Sequence, residues 1–432
     1  MCQHRQNQPE TTNNSQPPPD TPAYNDPFPW HLGAFDAHCH PTDTMSSIAS
    51  LATLNTRVLT IMATRSQDQQ LVADVASKHG ITDSASISTS SLDSSDPARK
   101  GCKVVPAFGW HPWFSYQLYD DSIPNPTFNN KSTEQDAKIA HYKAVLSPTP
   151  QDKSFLSSLP TPTPLSALIS STRQHLTSFP LALVGEIGLD KGFRLPQRRL
   201  PDDDSSRDES LTPGGREGRL LSPFKVQMQH QQAIMQAQLR LAGEMGRAVS
   251  VHGVQAHGVL YDTIAVCWKG HEKKVLSRRE RKRIAPGAEE FSSSSDDDDD
   301  DSSSDGTPST EKKTQKKKVG GRPFPPRICL HSYSGSADML KQWFHPAVPS
   351  TVFVSFSTAV NMSTDGGKTK LAAIVRAVPD DRILVESDLH TAGGEAEALL
   401  EDMYRLVCEI KGWQLEHGVA TIGANFERFI LG

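Results

Sequence analysis

The stretch FDAHCHPTD, residues 35–43, decides how the rest of the chain is interpreted. Two histidines, His38 and His40, flank one cysteine, with Asp36 before them and Asp43 after them. Side chains of a strand alternate between its faces, so Asp36, His38 and His40 would share one side. Two imidazoles at that spacing can chelate one metal ion. The alternative is a polar loop whose histidines have no special role, and the rest of the sequence must decide between the two.

Net charge excludes a protein that binds nucleic acid through an overall basic surface, and length and hydropathy limit the size of the folded part. The chain has 432 residues, which is enough for one large domain or two ordinary ones. Its net charge is −5 and its pI about 6.3, so a phosphate-containing substrate would have to be held locally, by a metal ion or a few cations. Hydrophobic residues make up only 36% of the chain, and the mean hydropathy is −0.49. Both values predict a sizeable disordered fraction beside a folded core.

Cysteine usage and targeting signals bear on the compartment. The six cysteines are scattered and form no CxxC pair, which is typical of a reducing compartment. Residues 1–30 are polar and lack the apolar core of a signal peptide. No apolar run approaches the roughly 18 residues of a membrane span. We therefore expect the protein in the cytoplasm, the nucleus or both, without a membrane association.

Shifts in composition divide the chain into a tail, one domain and several inserts. Residues 1–30 are rich in Pro, Asn and Gln and are predicted to be a disordered tail. A single folded domain is predicted over residues 31–432. Pro-, Ser- and charge-rich segments interrupt it, and we expect disordered inserts near residues 82–100, 116–165, 195–221 and 270–325.

The last of these inserts, residues 270–325, is dominated by blocks of like charge. It contains KKVLSRRERKR, then SSSSDDDDDDSSSD, then KKTQKKK. Such blocks cannot bury apolar surface and are expected to stay disordered. The basic cluster at residues 278–283 is interpreted either as a nuclear import or nucleic-acid signal, or as a solvated charge run. The insert is also a candidate surface for a protein partner, and we expect it to be dispensable for catalysis.

Without the tail and inserts, roughly 250 residues remain, the usual size of a (β/α)8 TIM barrel. Eight short runs rich in Val, Ile, Leu or Phe have the character of buried parallel strands, with helical stretches between them. These runs occupy residues 32–40, 56–64, 103–112, 181–190, 248–254, 327–335, 351–358 and 382–390. The sequence therefore predicts an α/β fold of the TIM-barrel class.

Six of these eight runs end in a histidine or an acid. In chain order they supply His38 and His40, His111, Glu186 with Asp190, His252, His331, and Glu386 with Asp388. A lone histidine at a strand end is more often an ordinary hydrogen-bonded residue than a ligand. In a parallel barrel, however, all the carboxyl ends of the strands meet at one mouth, where active sites of this fold lie. Several histidines and carboxylates at one mouth are the inventory of a site for two metal ions.

The ordered series FDAHCH, GWHP, GEIGLD, VH, HSYSGS and ESD resembles the TatD family of metal-dependent deoxyribonucleases, which are amidohydrolase-like TIM barrels. The closing stretch ATIGANFERFI also resembles the last helix of that family, with its Asn425–Phe426 pair. The resemblance covers most of the predicted barrel and none of the inserts. It implies a hydrolase that cleaves DNA phosphodiesters, with exonuclease action as the expected mode.

The same resemblance implies roles for individual residues. His38, His40, Glu186 and Asp388 are expected to hold one divalent ion, and Glu186 is expected to bridge to a second. His252 and His331 complete that second site. Asp388 is the candidate general base and shares the catalytic role with Glu186, whereas His111 and His390 are expected to contact the substrate. Asp36 either orients one of the histidines or caps its own turn. The two ions are expected to be Mg, Mn or Zn.

Two other functions stay open at this point. Binuclear amidohydrolases acting on amides, lactones or aminated bases often carry a modified lysine after strand four, where this chain has Glu186. A barrel that only binds protein partners through its inserts is the second alternative, although all the expected ligands are present. The chain also departs from the family, with Ser387 between the acids of the last motif and with Ser332 and Tyr333 after His331. These departures leave the substrate undecided between DNA, RNA and other esters or amides.

Overall fold

The computed structural model describes most of the chain outside its charged segments. The described residues are 24, 26–84, 87, 101–129, 132–199, 207–275, 321–363 and 366–432. Most of the predicted tail and the basic cluster at 278–283 therefore lie outside the described residues. Among the described helices, none combines the length and the apolar character needed to cross a bilayer.

Eight parallel strands form a sheet in which each strand pairs with its neighbours in chain order. The strands are β1 (Phe35–Cys39), β2 (Val58–Met62), β3 (Lys103–Phe108), β4 (Leu183–Asp190), β5 (Val249–Val254), β6 (Arg327–Leu330), β7 (Thr351–Phe356) and β8 (Ile383–Val385). Each lies within one of the eight runs predicted from the sequence. Nearly all their residues are buried, which is why the runs read as continuously apolar.

Two backbone hydrogen bonds close the sheet into a barrel just beyond the ends of β1 and β8. The amide of Asp388 donates to the carbonyl of His38 at 3.0 Å. The amide of His40 donates to the carbonyl of Leu389 at 2.8 Å. Both bonds are made by predicted site residues or their neighbours, so closure of the barrel and formation of the mouth occur at the same place. The predicted (β/α)8 fold is confirmed.

Eleven α-helices complete the described part of the fold. They are α1 (Ser66–His79), α2 (Glu134–Val145), α3 (Lys153–Ser158), α4 (Leu165–Ser178), α5 (Met228–Glu244), α6 (His257–Trp268), α7 (Ala337–Trp343), α8 (Thr358–Asn361), α9 (Gly367–Ala377), α10 (Gly394–Lys411) and α11 (Leu415–Leu431). Local chemistry sets several of their ends. The Thr133 and Ser336 hydroxyls accept hydrogen bonds from the first turns of α2 and α7, and Gly412, with φ of 69°, ends α10.

The last helix, α11, packs against residues of the barrel strands. Phe426 stacks on Phe35 with ring centroids 4.6 Å apart, and Phe429 contacts Phe353 at 5.4 Å. The buried amide of Asn425 donates to the carbonyl of Ile383 at 2.9 Å, which fixes the helix to the start of β8. The Asn–Phe pair singled out in the sequence is thus a packing and anchoring device remote from the mouth.

The segment 116–165 was expected to be disordered, and the structure corrects this expectation. It contains α2 and α3, and Leu118–Tyr119 pairs in parallel with Thr163–Pro164. The apolar residues of the segment form part of a small hydrophobic core. This core includes the buried side chains of Tyr116, Tyr142, Val145, Leu146, Phe155 and Leu156. Thr133, one of the residues that suggested disorder, is the N-cap of α2, and Asp152 is the N-cap of α3.

The insert expected near 195–221 is folded at its described residues, 195–199 and 207–221. It lies against the residues that follow β1, where the amide of Thr212 donates to the carbonyl of Asp43 at 2.8 Å. The buried Arg65 guanidinium donates both to the Asp43 carboxylate at 2.8 Å and to the carbonyl of Thr212 at 3.2 Å. These contacts make the insert part of the wall around the mouth.

The ends of the 270–325 insert belong to the folded barrel. The amide of Lys273 donates to the carbonyl of Ala347 at 2.9 Å, and Phe324 is buried in the main hydrophobic core. The boundary predicted from composition was therefore too wide on both sides. Residues 276–320 lie outside the described residues, and their expected disorder stays a prediction.

A pair of deletions tests these boundaries. Replacing residues 276–320 by a Gly/Ser linker is expected to leave the free energy of unfolding within about 1 kcal/mol of wild type, because like-charge blocks add little to a core. Deleting residues 270–325 also removes Phe324, and loss of a buried aromatic side chain destabilises by about 3–5 kcal/mol. Urea unfolding followed by circular dichroism measures both. Equal stability of the two deletions would contradict the assignment of Phe324 to the core.

Candidate metal centre

The mouth of the barrel brings together seven of the predicted residues. They are His38, His40, His111, Glu186, His252, His331 and Asp388, and all are buried. All but Glu186 lie near or just beyond the carboxyl end of their strands, and Glu186 lies in the middle of the longer β4. The eighth, His390, lies at the rim with its side chain 55% exposed.

The first donor group contains four side chains from β1, β4 and the segment after β8. The Nε2 atoms of His38 and His40 are 3.1 Å apart, and each is 3.5 Å from Oε2 of Glu186. Oδ1 of Asp388 lies 3.8 Å from the His38 nitrogen and 3.5 Å from the His40 nitrogen. Donor atoms that each lie about 2.1 Å from one tetrahedral ion are roughly 3.4 Å from one another. The nitrogens of His38 and His40 and the oxygen of Asp388 lie close enough together to hold a single cation, and the Glu186 oxygen lies 3.5 Å from both nitrogens.

The second donor group uses the other oxygen of the same glutamate. Oε1 of Glu186 lies 2.9 Å from Nδ1 of His252 and 2.7 Å from Nε2 of His331. The two imidazole nitrogens are 3.2 Å apart. Since one oxygen of Glu186 faces each group, this carboxylate is placed to bridge two cations.

Three histidines have the ring nitrogen that points away from the centre fixed by a hydrogen bond. Nδ1 of His38 is 2.8 Å from the Ser250 hydroxyl, and Nε2 of His252 is 3.2 Å from Oδ2 of Asp190. Nδ1 of His331 is 3.4 Å from Oε1 of Glu386. A proton on each of these outer nitrogens leaves the inner nitrogen with a free lone pair, which is the tautomer that binds a metal.

Ser250 and the role of Glu386 were missed by the sequence analysis. Glu386 is fully buried and accepts hydrogen bonds from the amide and hydroxyl of Ser332 and from the hydroxyl of Ser355. The alternation of side chains along a strand indicates that Ser250 lies on the same face of β5 as His252, which it precedes by two residues. The hydrogen bond of Ser250 to His38, 212 residues away in the chain, could not be inferred from that pattern.

His111 belongs to the centre in a different way from the other histidines. Its Nε2 lies 3.1 Å from Oε1 of Glu186, but its Nδ1 accepts a hydrogen bond from the amide of Trp113 at 3.2 Å. Burial lowers the pKa of His111 to about 4, so the ring is neutral near pH 7. With Nδ1 accepting, the single proton is on Nε2, which makes that atom a hydrogen-bond donor toward the centre.

The charges at the centre depend strongly on one another. Burial alone would raise the pKa of Glu186, but the adjacent His111, His331 and His38 hold it well below its usual value. Burial alone would lower the pKa of His331, but Glu186 and Glu386 hold it well above its usual value. Among the described residues, the titratable side chains within 4 Å of the Glu186 carboxylate are all histidines. The carboxylates therefore require positive charge between them, from protonated imidazoles or from bound cations.

The structure decides between the two interpretations of Asp36. Its Oδ1 accepts hydrogen bonds from the amide of His38 at 3.1 Å and from the amide of Ser387 at 3.0 Å. Burial raises the pKa of Asp36 to about 7. Asp36 thus caps the backbone of its own turn and ties β1 to the end of β8, and it contacts the backbone of His38 rather than its ring.

His390 is not brought into either donor group. Its Nδ1 lies 2.7 Å from Oδ2 of Asp43, and its ring lies 5.4 Å from that of His40 at an interplanar angle of 25°. It therefore forms part of the rim directly above the first donor group.

Comparisons with known proteins identify the family of this chain. A family model described as "TatD related DNase" matches residues 35–431. The Cut9-interacting protein scn1 of Schizosaccharomyces pombe is 35% identical over 397 residues, which cover 91% of this chain and 98% of that protein. An uncharacterised deoxyribonuclease of Saccharomyces cerevisiae is 25% identical over 338 residues, covering 76% of this chain and 82% of the relative. A solved TatD homologue from Escherichia coli K12 has a TM-score of 0.44 and 13% identity, covering 91% of this chain and 96% of the homologue.

Glu386→Gln is expected to weaken metal binding by about 10- to 100-fold, because it removes the charge that fixes the tautomer of His331. Isothermal titration with Mn²⁺ or Zn²⁺ measures the affinity, and circular dichroism checks the fold. Glu409→Gln, at an exposed position of α10, is the matched control and should bind like wild type. An unchanged affinity in Glu386→Gln would contradict the role assigned to this carboxylate.

Proposed function

Because the chain belongs to the family of TatD-related DNases, we propose that it is a metal-dependent deoxyribonuclease that hydrolyses phosphodiester bonds of DNA. The observation that carries this proposal is the buried Glu186 carboxylate, which presents one oxygen to each of two donor groups. The S. cerevisiae relative that is named a deoxyribonuclease supports the same substrate class.

We propose that the centre holds two divalent ions, either Mg, Mn or Zn. The first would be held by His38, His40, Glu186 and Asp388, and the second by Glu186, His252 and His331. When bound, such ions neutralise charge on the phosphodiester and lower the pKa of an attacking water molecule. Imidazole donors suit Zn, whereas carboxylate and water ligands suit Mg and Mn, and metal titration distinguishes the three ions.

Asp388 is proposed as the general base. Burial alone would raise its pKa, but the hydrogen bond from His40 and the charges of His331 and His38 hold it below its usual range. The side chain is therefore a carboxylate near pH 7, and one of its oxygens accepts the proton of the attacking water. As the water oxygen bonds to phosphorus, the bond from phosphorus to the leaving sugar oxygen breaks.

His111 and His390 are proposed to bind the substrate. The Nε2–H of His111 points toward the centre from a neutral, buried ring, and it would donate to a non-bridging oxygen of the scissile phosphate. His390 lies at the rim beside Asp43 and would contact the DNA strand where it enters the mouth of the barrel. Since the donor groups are buried, a single strand end reaches them more easily than the middle of a duplex, which supports exonuclease action.

A protein-binding role is a second candidate function. The S. pombe relative is named for its interaction with Cut9, so a protein partner is also proposed for this chain. The charged insert at 276–320 is the proposed contact, and the cytoplasm, the nucleus or both are the proposed location. Such a role is compatible with catalysis, because the insert and the mouth are separate parts of the chain.

Metal content and cleavage of an end-labelled single-stranded DNA test the proposed function, with Mg, Mn or Zn added to wild type and to His38→Ala. Metal-dependent shortening from one end, lost in the variant, is the expected outcome. Bound metal without cleavage would point to another hydrolase substrate. Absence of both would favour the protein-binding role.

Asp388→Asn is expected to lower kcat for DNA hydrolysis by at least about 100-fold, because it removes the proton acceptor and a ligand charge. Single-turnover cleavage at saturating metal measures the rate, and thermal unfolding verifies that the fold is intact. Asp338→Asn changes an exposed carboxylate that pairs with Lys341, and it should retain full activity. A wild-type rate in Asp388→Asn would exclude the proposed base.

A further inference from the structure

Two aromatic side chains stack on each other beside the candidate metal centre. The rings of Trp113 and Phe193 are 4.8 Å apart and nearly parallel, with an interplanar angle of 11°. Trp113 follows β3 on the 3₁₀ helix Pro112–Gln117, and Phe193 lies in the turn after β4. Both side chains are only partly buried. Phe193 and Trp113 also pack against buried hydrophobic clusters, and the part of each ring that remains exposed lies beside the mouth of the barrel.

The Asp190 carboxylate connects this pair to the metal centre. Its Oδ2 accepts a hydrogen bond from the indole Nε1–H of Trp113 at 2.6 Å and lies 3.2 Å from Nε2 of His252. Its Oδ1 accepts a hydrogen bond from the amide of Phe193 at 2.8 Å. The ring of Trp113 also lies 4.8 Å from that of His111. The position of the stacked pair is thus fixed relative to a candidate ligand and to the proposed phosphate-binding histidine.

Two cations flank Phe193 in the same turn. The side chains of Lys191 and Arg194 are exposed. Within the described ranges, no carboxylate lies at ion-pair distance from either of them. Free cations interleaved with aromatic surface are the combination by which proteins hold single-stranded nucleic acid: bases stack on the rings and phosphates pair with the cations.

We propose that Trp113 and Phe193 form a stacking subsite for a nucleobase next to the scissile phosphate, and that Lys191 and Arg194 contact the backbone of the same strand. The inference rests on the proposed function, which it extends by naming the base as a binding determinant. Every base has a flat aromatic face, so the subsite holds single strands without strong sequence preference. It also disfavours paired bases, whose faces are already stacked.

A binding cycle that changes the protein and the nucleic acid separately tests this subsite. The probes are a fluorescein-labelled single-stranded phosphorothioate oligodeoxynucleotide, which resists hydrolysis, and its abasic counterpart. Fluorescence anisotropy with the metal-loaded full chain gives the ratio of the two affinities. Wild type is expected to bind the base-bearing strand roughly tenfold more tightly than the abasic one.

Phe193→Leu removes the ring but keeps an apolar side chain, and it should bring the affinity ratio close to one. Phe193→Tyr keeps the ring and should preserve the ratio. Tyr261→Leu is the matched control, because Tyr261 is a partly buried aromatic residue of α6 that contacts Trp268 and Trp343. A merely structural role of Phe193 would weaken both probes equally and leave the ratio unchanged, which would overturn the subsite.

Binding of the two probes tests the subsite, and cleavage of an unmodified strand tests the proposed function separately. If wild type discriminates between the probes but never cleaves an unmodified strand, the subsite stands and the nuclease proposal fails. If wild type cleaves DNA but binds both probes equally, the nuclease proposal stands and the subsite fails.

Discussion

The buried carboxylate of Glu186 is the constraint on which the mouth of this barrel depends. A carboxylate removed from water is strongly unfavourable unless positive charge or hydrogen-bond donors surround it. Here imidazoles from β1 to β6 surround both of its oxygens at 2.7–3.5 Å. The strands that carry them must end at the same level for this to occur. The regular geometry of the barrel supplies that alignment, and the hydrogen bonds of Ser250, Asp190 and Glu386 then set the ring orientations.

The sequence predicted the barrel well because its strands are buried on both faces and therefore appear as apolar runs. It also predicted which polar residues meet, since parallel strands bring their carboxyl ends to one mouth. It failed at residues 116–165, where a high content of Pro, Ser and Thr hid helices that pack around Tyr142 and Phe155. It also missed Ser250, because a contact between residues 212 positions apart follows from the fold and not from local pattern.

Backbone conformation contributes to the centre as well as side chains. Ser332 and Asp388 have positive φ angles of 39° and 55°, which are unfavourable for residues with a Cβ. The amide of Ser332 donates to Glu386 at 2.7 Å, and that of Asp388 donates to the carbonyl of His38. These bonds hold the two residues in conformations that direct both side chains toward the same group of carboxylates and histidines. Strained backbone and candidate chemistry therefore coincide, as is common at functional sites.

Closure of the barrel between β1 and β8 joins residues that are synthesised first to residues that are synthesised last. The bond from Ser387 to Asp36 spans 351 residues, and Asp388 meets His38 and His40 across the same seam. A nascent chain on the ribosome contains His38 and His40 early in synthesis, but it does not yet contain Asp388. The first donor group thus cannot be completed before the last strand has been synthesised. A translation product that stops before the end of β8 lacks Asp388, so its first donor group is incomplete.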